Sequence, residues 1–296
     1  MRPTRLLALS SLAALALTAA CGPDGRATDG GDGDGVDAGA GGGTGGPEVC
    51  DDVIDNNGDG RTDCADPDCS GRDGCPVCGS VEAPQAAPLA LPDGVGDGVS
   101  CSTDADCTSP SAPNCVAEEC HASYTSTLNF VGFPANATLT DPAKLLSVCV
   151  NVEHSWMRDL QVELILPSGA VFTMHEFVAR VGGEVYLGMA NDSDSGANPV
   201  PGTGAEYCWA NAAPVPMLTG ANIPGPTTYL TGGISMLKAG TYASIAPWLS
   251  LQGTPLNGAW TIRVTDLWGA DNGFMFSWSI KFDPSLVASC DGPIIL

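Results

Sequence analysis

The residues best suited to chemistry form an oxygen-rich loop near the N-terminal end of the chain. Oxygen-bearing side chains recur at positions 1, 3, 5, 9 and 12 of segment 55–66, and Gly60 stands at position 6. This is the spacing with which an EF-hand loop wraps one Ca²⁺ ion in hard oxygen ligands. The sequence therefore predicts a calcium site with these ligands: Asp55, Asn57, Asp59, Arg61 (through its backbone carbonyl), Asp63 and Asp66.

Two features distinguish this loop from an EF-hand. Position 12 is Asp66 rather than the longer bidentate glutamate, and the flanks are rich in cysteine without helical periodicity. The loop is closer to the disulfide-braced, Asp-rich calcium repeats of extracellular proteins. An acidic turn without an ion is the alternative. The C-x₂-C spacing of Cys75 and Cys78 also allows zinc, although the other cysteine spacings favour disulfides.

Few groups in the chain could support nucleophilic catalysis. The three histidines are His121, His154 and His175, and there is no Gly-x-Ser-x-Gly segment. His154 is close in sequence to Ser155 and Asp159, but adjacent strand residues point to opposite faces and do not converge as a triad. We expect His154 to brace the fold through a hydrogen bond, and we predict no catalytic residue.

The charge balance argues against two classes of partner. Asp and Glu number 34 against 11 Lys and Arg, which gives a net charge of −23. A polyanionic surface repels nucleic acid and anionic lipid headgroups, so neither is expected to bind. It suits divalent cations, although much of the charge lies in the first 70 residues, outside any expected core.

The N-terminus has the pattern of an export signal. Arg2 and Arg5 precede an apolar run, 6–17, that is too short to span a bilayer, and small residues then lead directly to Cys21. This pattern resembles a bacterial lipobox, in which Cys21 becomes the lipidated first residue of the mature protein. An ordinary cleaved signal with Cys21 unmodified is the alternative. We expect 1–21 to be a lipoprotein signal, and the N-terminal lipid to be the only membrane anchor of an outer-membrane or cell-surface protein.

The cysteine count is consistent with export. Setting Cys21 aside leaves 12 of the 13 cysteines, an even set compatible with six disulfides in an oxidising compartment. Residues 22–49 form a Gly/Asp-rich segment that we expect to be a disordered linker, and residues 50–78 form a Cys-rich module around the oxygen-rich loop. We expect 81–91 to be a second linker. Four further cysteines predict a loop stapled by two local disulfides within an insertion at 101–120: Cys101, Cys107, Cys115 and Cys120.

The remainder of the chain has the period-two alternation of half-buried β-strands. A hairpin of two strands with a loop between them is predicted in 256–282 and a similar hairpin in 150–166, and no stretch keeps a helical period. These patterns predict an all-β sandwich or barrel over 79–296. The inward residues expected in the 256–282 pair are Trp260, Ile262, Val264, Phe274, Phe276, Trp278, Ile280 and Phe282.

Three segments together resemble a known domain. Residues 90–94 read Ala-Leu-Pro-Asp-Gly, residues 150–169 begin Val-Asn-Val-Glu-His and end Leu-Pro-Ser-Gly, and residues 256–266 read Leu-Asn-Gly-Ala-Trp-Thr-Ile-Arg-Val-Thr-Asp. In this order they resemble the P domain (Homo B domain) that follows the catalytic domain of subtilisin-like proprotein convertases. The resemblance covers about residues 88–287 and implies a jelly-roll-like β-sandwich, often calcium-associated, that stabilises a neighbouring protease. The motifs of the catalytic Asp, His and Ser have no counterpart in this chain.

The segments that resemble the P domain contain two further candidate calcium ligands. Asp159 and Asp266 lie at expected strand ends, where the loops of a sandwich can converge oxygen atoms on an ion. Solvated turn carboxylates are the alternative. Trp156 and Trp268 lie close by in sequence, and we expect both in the core; an exposed tryptophan would instead suit stacking on a sugar or a protein partner.

These features lead to one main functional hypothesis and two alternatives. The main hypothesis is a non-enzymatic, lipid-anchored envelope protein whose sandwich binds or stabilises another protein in a calcium-dependent way, the resemblance suggesting a secreted protease as partner. The first alternative is a role in proteolysis, as an accessory protein or as an unrecognised serine-type peptidase. The second is glycan or surface adhesion.

Overall fold

The structure is a computed structural model. It describes residues 47–58, 62–69, 75, 80–83, 85–131, 133–179, 181–191, 199–230, 232–286 and 294–295. All of them belong to one compact unit, Gly41–Leu296. The predicted signal, the predicted lipidation site Cys21 and most of the predicted linker lie outside the described residues. No helix in the described part is both long enough and apolar enough to cross a membrane.

Sixteen β-strands make up the regular structure of the described residues, together with seven short 3₁₀ helices. The strands are β1 (Ser80–Glu82), β2 (Leu89–Ala90), β3 (Gly96–Ser100), β4 (Asn114–Val116), β5 (Glu119–His121), β6 (Tyr124–Val131), β7 (Leu145–His154), β8 (Leu160–Ile165), β9 (Val171–His175), β10 (Ala205–Trp209), β11 (Thr227–Tyr229), β12 (Ser235–Leu237), β13 (Gly240–Tyr242), β14 (Gly258–Asp266), β15 (Gly273–Phe282) and β16 (Ile294–Ile295). The 3₁₀ helices are Asp63–Ala65, Pro67–Cys69, Asp104–Asp106, Pro142–Lys144, Met157–Asp159, Trp248–Leu251 and Pro284–Leu286.

Two sheets pack face to face and form a β-sandwich. The first sheet has the strand order β1-β15-β7-β10-β13, with β2 also paired to β15, and the second has the order β16-β6-β14-β8-β9. Pairing in both sheets is antiparallel except between β10 and β13, which are parallel. The prediction of an all-β sandwich is confirmed.

The core lies between the two sheets and is built from their inward-facing residues. Trp260, Ile262 and Val264 on β14 are fully buried, as the alternation predicts. Trp209 on β10 and Trp278 on β15 face them from the other sheet and are also fully buried. Burial of each such side chain stabilises the fold by about 2 kcal/mol or more, so the sandwich carries most of the apolar stabilisation of the chain.

The two predicted strand pairs do not form hairpins. β14 pairs with β6 and β8 in the second sheet, whereas β15 pairs with β1, β2 and β7 in the first. β7 and β8 are separated between the sheets in the same way. Each predicted hairpin is therefore a crossing from one sheet to the other. Alternation identifies the buried face of a strand, and both strands of each crossing do bury that face, but it does not identify the strand beside it.

A β-bulge changes which side chains of β15 point inward. The register with β7 shifts between Met275 and Ser277, so Met275 occupies the core in place of Phe276. Phe276 lies instead on the outer side, where its ring is close to Gly204. The extra residue at a bulge reverses the alternation on one side of it, so the inward orientation expected for Phe274 and Phe276 is wrong, although Phe274 is buried.

The cysteine cluster is a small folded module rather than a loop. Strands β3, β5 and β4 form a three-stranded sheet in that order, and the bridges Cys101–Cys115 and Cys107–Cys120 cross it. Arg263, on the outer face of β14, fastens this module to the sandwich. Its Nη1 atom donates to Asp104 Oδ1 at 2.8 Å, and its Nε atom donates to Glu163 Oε2 at 2.8 Å.

The first cysteine-rich segment is held in the same manner. Disulfides join Cys50 to Cys69 and Cys64 to Cys75. Together with the two bridges of the cysteine cluster and Cys149–Cys208, five of the six predicted disulfides lie among the described residues. The two remaining cysteines, Cys78 and Cys290, lie outside them.

The prediction of a linker at 81–91 is wrong, because β1 and β2 in this stretch pair with β15.

Candidate functional site

The candidate site lies at the end of the sandwich where β7 and β14 terminate. β7 ends at His154 and β14 ends at Asp266, so the two crossings bring these residues together from opposite sheets. His154 Nε2 lies 3.2 Å from Asp266 Oδ2, and both side chains are 0% exposed. The backbone N–H of Trp156 donates to His154 Nδ1 at 3.0 Å, so Nε2 carries the proton that is donated to Asp266. The expected bracing hydrogen bond of His154 is present.

Buried carboxylates surround this pair. Asp159 and Glu153 are buried beside it, so the two predicted sandwich ligands, Asp159 and Asp266, do lie at one place. Burial lowers the pKa of His154, but the charges of Asp266, Asp159 and Glu153 outweigh it and raise the pKa above its usual value. Protonation of Nδ1 would remove the acceptor of the Trp156 N–H hydrogen bond. The backbone conformation at Trp156 is therefore coupled to the charge of His154.

The same groups fix the loop 267–272, which connects β14 to β15. The backbone N–H of Leu267 donates to the Asp159 carbonyl at 3.0 Å, and that of Trp268 donates to Asp266 Oδ1 at 3.0 Å. The far end of the loop is held by the Asn272 carbonyl, which accepts from the Ser155 N–H at 3.1 Å. Both oxygens of Asp266 are thus engaged by protein donors.

A second segment locks the outer side of this loop. Asp93 Oδ1 accepts from the Ala270 N–H at 2.9 Å. A Cβ atom at Gly94, where φ is +56°, would lie 2.2 Å from the backbone nitrogen of Gly269, so only glycine permits this approach. Burial is the main cause of the raised pKa of Asp93. Two backbone segments far apart in sequence therefore pack directly against each other.

Trp268 projects from the loop that these contacts hold. It is 48% exposed, so the expectation that it lies in the core is wrong. Trp156, by contrast, is half-buried beside His154. The difference follows from their positions, because Trp156 follows the buried end of β7 whereas Trp268 lies on the outer loop. An exposed tryptophan on a fixed backbone can contact a partner without first being ordered.

The oxygen-rich loop at 55–66 gathers part of its predicted ligand set. Asn57 Nδ2 donates to Asp66 Oδ2 at 3.0 Å and to Asp68 Oδ2 at 3.3 Å, which brings loop positions 3 and 12 together. Asp55 Oδ1 accepts from the Gly58 N–H at 2.6 Å and closes the turn. Two carboxylates thus gather around the Asn57 amide, at one end of the predicted calcium loop.

The remaining ligands of this loop are placed differently. The Asp63 carboxylate accepts from the backbone N–H groups of Asp52 and Val53 at 3.0 Å, so it supports the preceding turn. Asp59 and Arg61 lie outside the described residues. The calcium site at 55–66 therefore stays a prediction, and Asp68 is an additional candidate ligand two residues beyond the predicted set.

Two groups of three potential metal ligands occur in the described part of the chain, and both contain disulfide cysteines. One is Cys101, Cys107 and Cys120, and the other is Cys149, Glu206 and Cys208. A disulfide sulfur lacks the thiolate that a metal needs. In the C-x₂-C alternative for zinc, Cys75 is bonded to Cys64.

The three histidines are buried. His154 and His175 are almost completely inaccessible, and the His121 ring lies close to Gly96. His175 Nε2 lies 2.9 Å from the Met157 carbonyl oxygen, to which it donates, and burial lowers the pKa of His175 to about 4.

Sequence reasoning missed three acidic residues of these sites. Asp93 lies in the Ala-Leu-Pro-Asp-Gly segment that resembles the P domain, and Glu153 directly precedes His154 in the second such segment. Both residues therefore belong to the motifs that carry the resemblance. Asp68 follows the predicted loop by two residues. Their importance depends on contacts between distant segments or on a turn beyond the motif, which spacing alone does not reveal.

Known proteins show little sequence or structural similarity to this chain. No protein-family model matches the chain, and no curated protein matches it in sequence. The solved structures that show partial similarity include two from Aeromonas sobria. The complex of the Aeromonas sobria serine protease with its chaperone has a TM-score of 0.25 and 14% identity, over 70% of this chain and 27% of that chain. The structure of the Aeromonas sobria serine protease has a TM-score of 0.24 and 12% identity, over 67% of this chain and 27% of that chain.

The chain therefore spans about a quarter of the length of these structures. TM-scores this low do not establish a shared fold. The function of the chain is accordingly argued from its own residues.

Proposed function

We propose that this chain is an exported, lipid-anchored and non-catalytic protein whose sandwich binds or stabilises another protein of the cell envelope. The observation that carries the proposal is the fixed loop 267–272. The His154–Asp266 pair and Asp93 hold its backbone, while Trp268 remains 48% exposed. A side chain presented on a rigid loop loses little conformational entropy on binding, and tryptophan is enriched among the residues that dominate protein interfaces.

The state of the histidines supports a non-catalytic role. His154 is used as a brace between the two sheets, and His175 donates to the Met157 carbonyl within the core. Neither imidazole is placed to take a proton from a hydroxyl nucleophile that a substrate could approach. A serine-type peptidase remains the alternative that a turnover assay on the purified chain would detect.

The partner that we propose is a secreted protease. The support is the resemblance of segments 90–94, 150–169 and 256–266 to the P domain, together with the sandwich in which all three segments lie at or beside paired strands. Among the residues of those segments, Asp93, His154 and Asp266 join to position the loop that bears Trp268.

Calcium forms part of the proposal. Asp55, Asn57, Asp66 and the Arg61 carbonyl would hold the ion together with Asp59 and Asp63, and the convergence of Asp66 and Asp68 on the Asn57 amide supports this assignment. Bound calcium would offset the repulsion among these carboxylates. Thermal melting with added Ca²⁺ tests it: the melting temperature of the wild type should rise, and that of Asp66→Ala should rise less.

The protein-binding role is tested by photo-crosslinking in the full-length, lipidated protein. A photoreactive amino acid is placed at Trp268 or, as a control, at Leu249, which is 68% exposed on another part of the surface. We expect one crosslinked partner from position 268 and none shared with position 249. Trp268→Ala, with an unchanged melting temperature, should lose co-purification of the same partner. Undiminished co-purification by Trp268→Ala would reject the proposal.

Glycan adhesion is a second candidate because the same exposed Trp268 could stack on a sugar ring. The two candidates differ in what the purified chain binds. Adhesion predicts glycan-array signals that disappear in Trp268→Ala, whereas protein binding predicts none.

A further inference from the structure

The disulfides of the described residues fall into two kinds. Four of them lie in the cysteine-rich segments, where cysteines themselves form most of the buried core. The fifth, Cys149–Cys208, joins β7 to β10 within the sandwich. These strands already share a ladder of five residue pairs, which runs from Ala205 opposite Val152 to Trp209 opposite Val148. The ladder and the apolar core beneath it therefore join these strands in addition to the sulfur–sulfur bond.

The fifth bridge draws two backbones unusually close together. Cys149 and Cys208 stand directly opposite each other in the ladder, with Cα atoms 4.0 Å apart. The other four bridges span 4.9 to 5.8 Å. Opposite residues of a regular antiparallel pair lie about 4.5 or 5.5 Å apart, so this bridge joins the two strands at less than the usual spacing.

The two sulfurs lie on the outer face of the first sheet. Cys149 alternates with Val148 and Val150, which point into the core. A cleft of about 130 Å³ opens beside it and is lined by polar side chains, including Glu82, Asn151, Glu206, Ser277 and Ser279. Cys208 is the more exposed of the two cysteines, and Cys149 is 8% exposed. An attacking thiolate therefore reaches the sulfur of Cys208 first.

We propose that Cys149–Cys208 is a site of reversible thiol–disulfide exchange, which a dithiol reductant opens without unfolding the sandwich. A thiolate of the reductant attacks Cys208 Sγ and forms a mixed disulfide, and Cys149 leaves as a thiolate that takes a proton from water. The second thiol of the reductant, as its thiolate, then attacks the mixed disulfide and releases Cys208. The reductant is oxidised by two electrons to its own disulfide, and the chain gains two thiols.

The ladder makes the exchange reversible. With the bridge open, hydrogen bonds between β7 and β10 still hold Cys149 opposite Cys208, so an oxidant re-forms the same pair. The cysteine-rich segments lack such a ladder across each bridge and rely on their sulfurs for a core. Reversible opening is thus a property of this one bridge among the five.

Glu206 sets the kind of reductant that the site accepts. Its carboxylate oxygen lies within 4.8 Å of both sulfurs, and Glu82 lines the same cleft. Negative charge repels an approaching thiolate and slows anionic reductants. The site therefore favours a neutral or cationic dithiol over an anionic thiol.

The proposal is tested by trapping thiols in the full-length protein. The chain is incubated with dithiothreitol under native conditions, quenched with an alkylating agent and mapped by mass spectrometry. We expect Cys149 and Cys208 to be labelled together while the fluorescence of the buried tryptophans stays native, and to lose labelling after reoxidation. Labelling that appears only as the sandwich unfolds would overturn the proposal, as would failure of Cys149→Ser/Cys208→Ser to keep native fluorescence.

A matched pair of glutamates tests the electrostatic part. Glu206→Gln should speed labelling of Cys149 and Cys208 by about three-fold at low salt, with a smaller gain at high salt. Glu118→Gln, at an exposed glutamate beside the Cys101–Cys115 bridge, should leave that rate unchanged. Equal rates for Glu206→Gln and the wild type would refute the role of Glu206. These readouts are independent of Trp268, so they separate this proposal from the proposed function.

Discussion

The sandwich and the two cysteine-rich segments of this chain are stabilised by different means. Between the two sheets, fully buried tryptophans such as Trp209, Trp260 and Trp278 supply a large apolar core. The cysteine-rich segments bury few apolar side chains other than cysteine itself, with Ala112 a rare addition. Segments this small cannot bury enough apolar area to offset the conformational entropy lost on folding. Disulfide bridges therefore supply much of their stabilisation. Core truncation and acid should therefore affect the sandwich, and loss of bridges should affect the small segments.

The largest effect is expected from truncation of the sandwich core. Trp260 is fully buried, packs edge-on against Phe282 with ring centroids 5.4 Å apart, and donates from Nε1 to the Leu256 carbonyl. Trp260→Ala should reduce the free energy of unfolding by about 4 kcal/mol, measured by chemical denaturation. Val171→Ala, at a half-exposed position of β9, should change it by less than about 0.5 kcal/mol. Similar losses in both variants would contradict the assignment of the core.

Acid should also weaken the sandwich, through His175. Its pKa is lowered to about 4 by burial, whereas the usual value is 6.5. Below pH 6.5 the unfolded chain takes up a proton that the folded chain refuses until about pH 4, so stability is lost as the pH falls through this range. The loss should approach about 3 kcal/mol, and denaturation at several pH values measures it. His175→Gln should flatten this slope; the same slope in the variant would assign it to other groups.

Removal of one bridge should affect mainly the cysteine cluster. Cys107 and Cys120 close a loop with a sequence separation of 13. Cys107→Ser/Cys120→Ser should cost the three-stranded sheet about 3 kcal/mol on the chain-entropy model. Hydrogen exchange should then speed up across 96–121, while the backbone amides of β7 and β14 keep their protection. Loss of protection throughout the sandwich would contradict the prediction that this bridge stabilises mainly the cysteine cluster.

The smallest effect is expected at the contact between the two regions. Asp104 is half-exposed, while its partner Arg263 is buried and also pairs with Glu163. Asp104→Asn should lower the stability of the cysteine cluster by about 1 kcal/mol, and less at high salt, because Glu163 still neutralises Arg263. Hydrogen exchange of β4 and β5 at two salt concentrations measures this. Asp97→Asn, at an exposed residue of β3, serves as the control.

The sequence predicts the class of fold well and the pairing of strands poorly. The alternation of Trp260, Ile262 and Val264 correctly identifies a buried face. The same alternation is satisfied whether two successive strands lie in one sheet or in two facing sheets, so the predicted hairpins at 150–166 and 256–282 are wrong. The place of Phe276 depends on a bulge, which changes the alternation without any change in composition.

The sequence predicts which residues belong to the candidate site better than it predicts how they are arranged. The motifs point to Asp159, Asp266 and His154, and the structure brings these three together. The sequence does not predict that Asp266 is already engaged by His154 and by the Trp268 N–H, because these contacts join segments from opposite sheets. The exposure of Trp268 is equally a tertiary property. A tryptophan is most often buried, and only the fixed path of 267–272 keeps this one outside.

The strand order also determines when the chain can fold. β14 lies in the middle of the second sheet, between β6 and β8, and β15 lies between β7 and the pair β1 and β2 in the first. Both strands come late in the sequence and end only at Phe282. During synthesis neither sheet can close until the segment that ends at Phe282 has emerged, since the earlier strands lack their central partner. Folding of the sandwich is therefore delayed until both crossings between the sheets are complete.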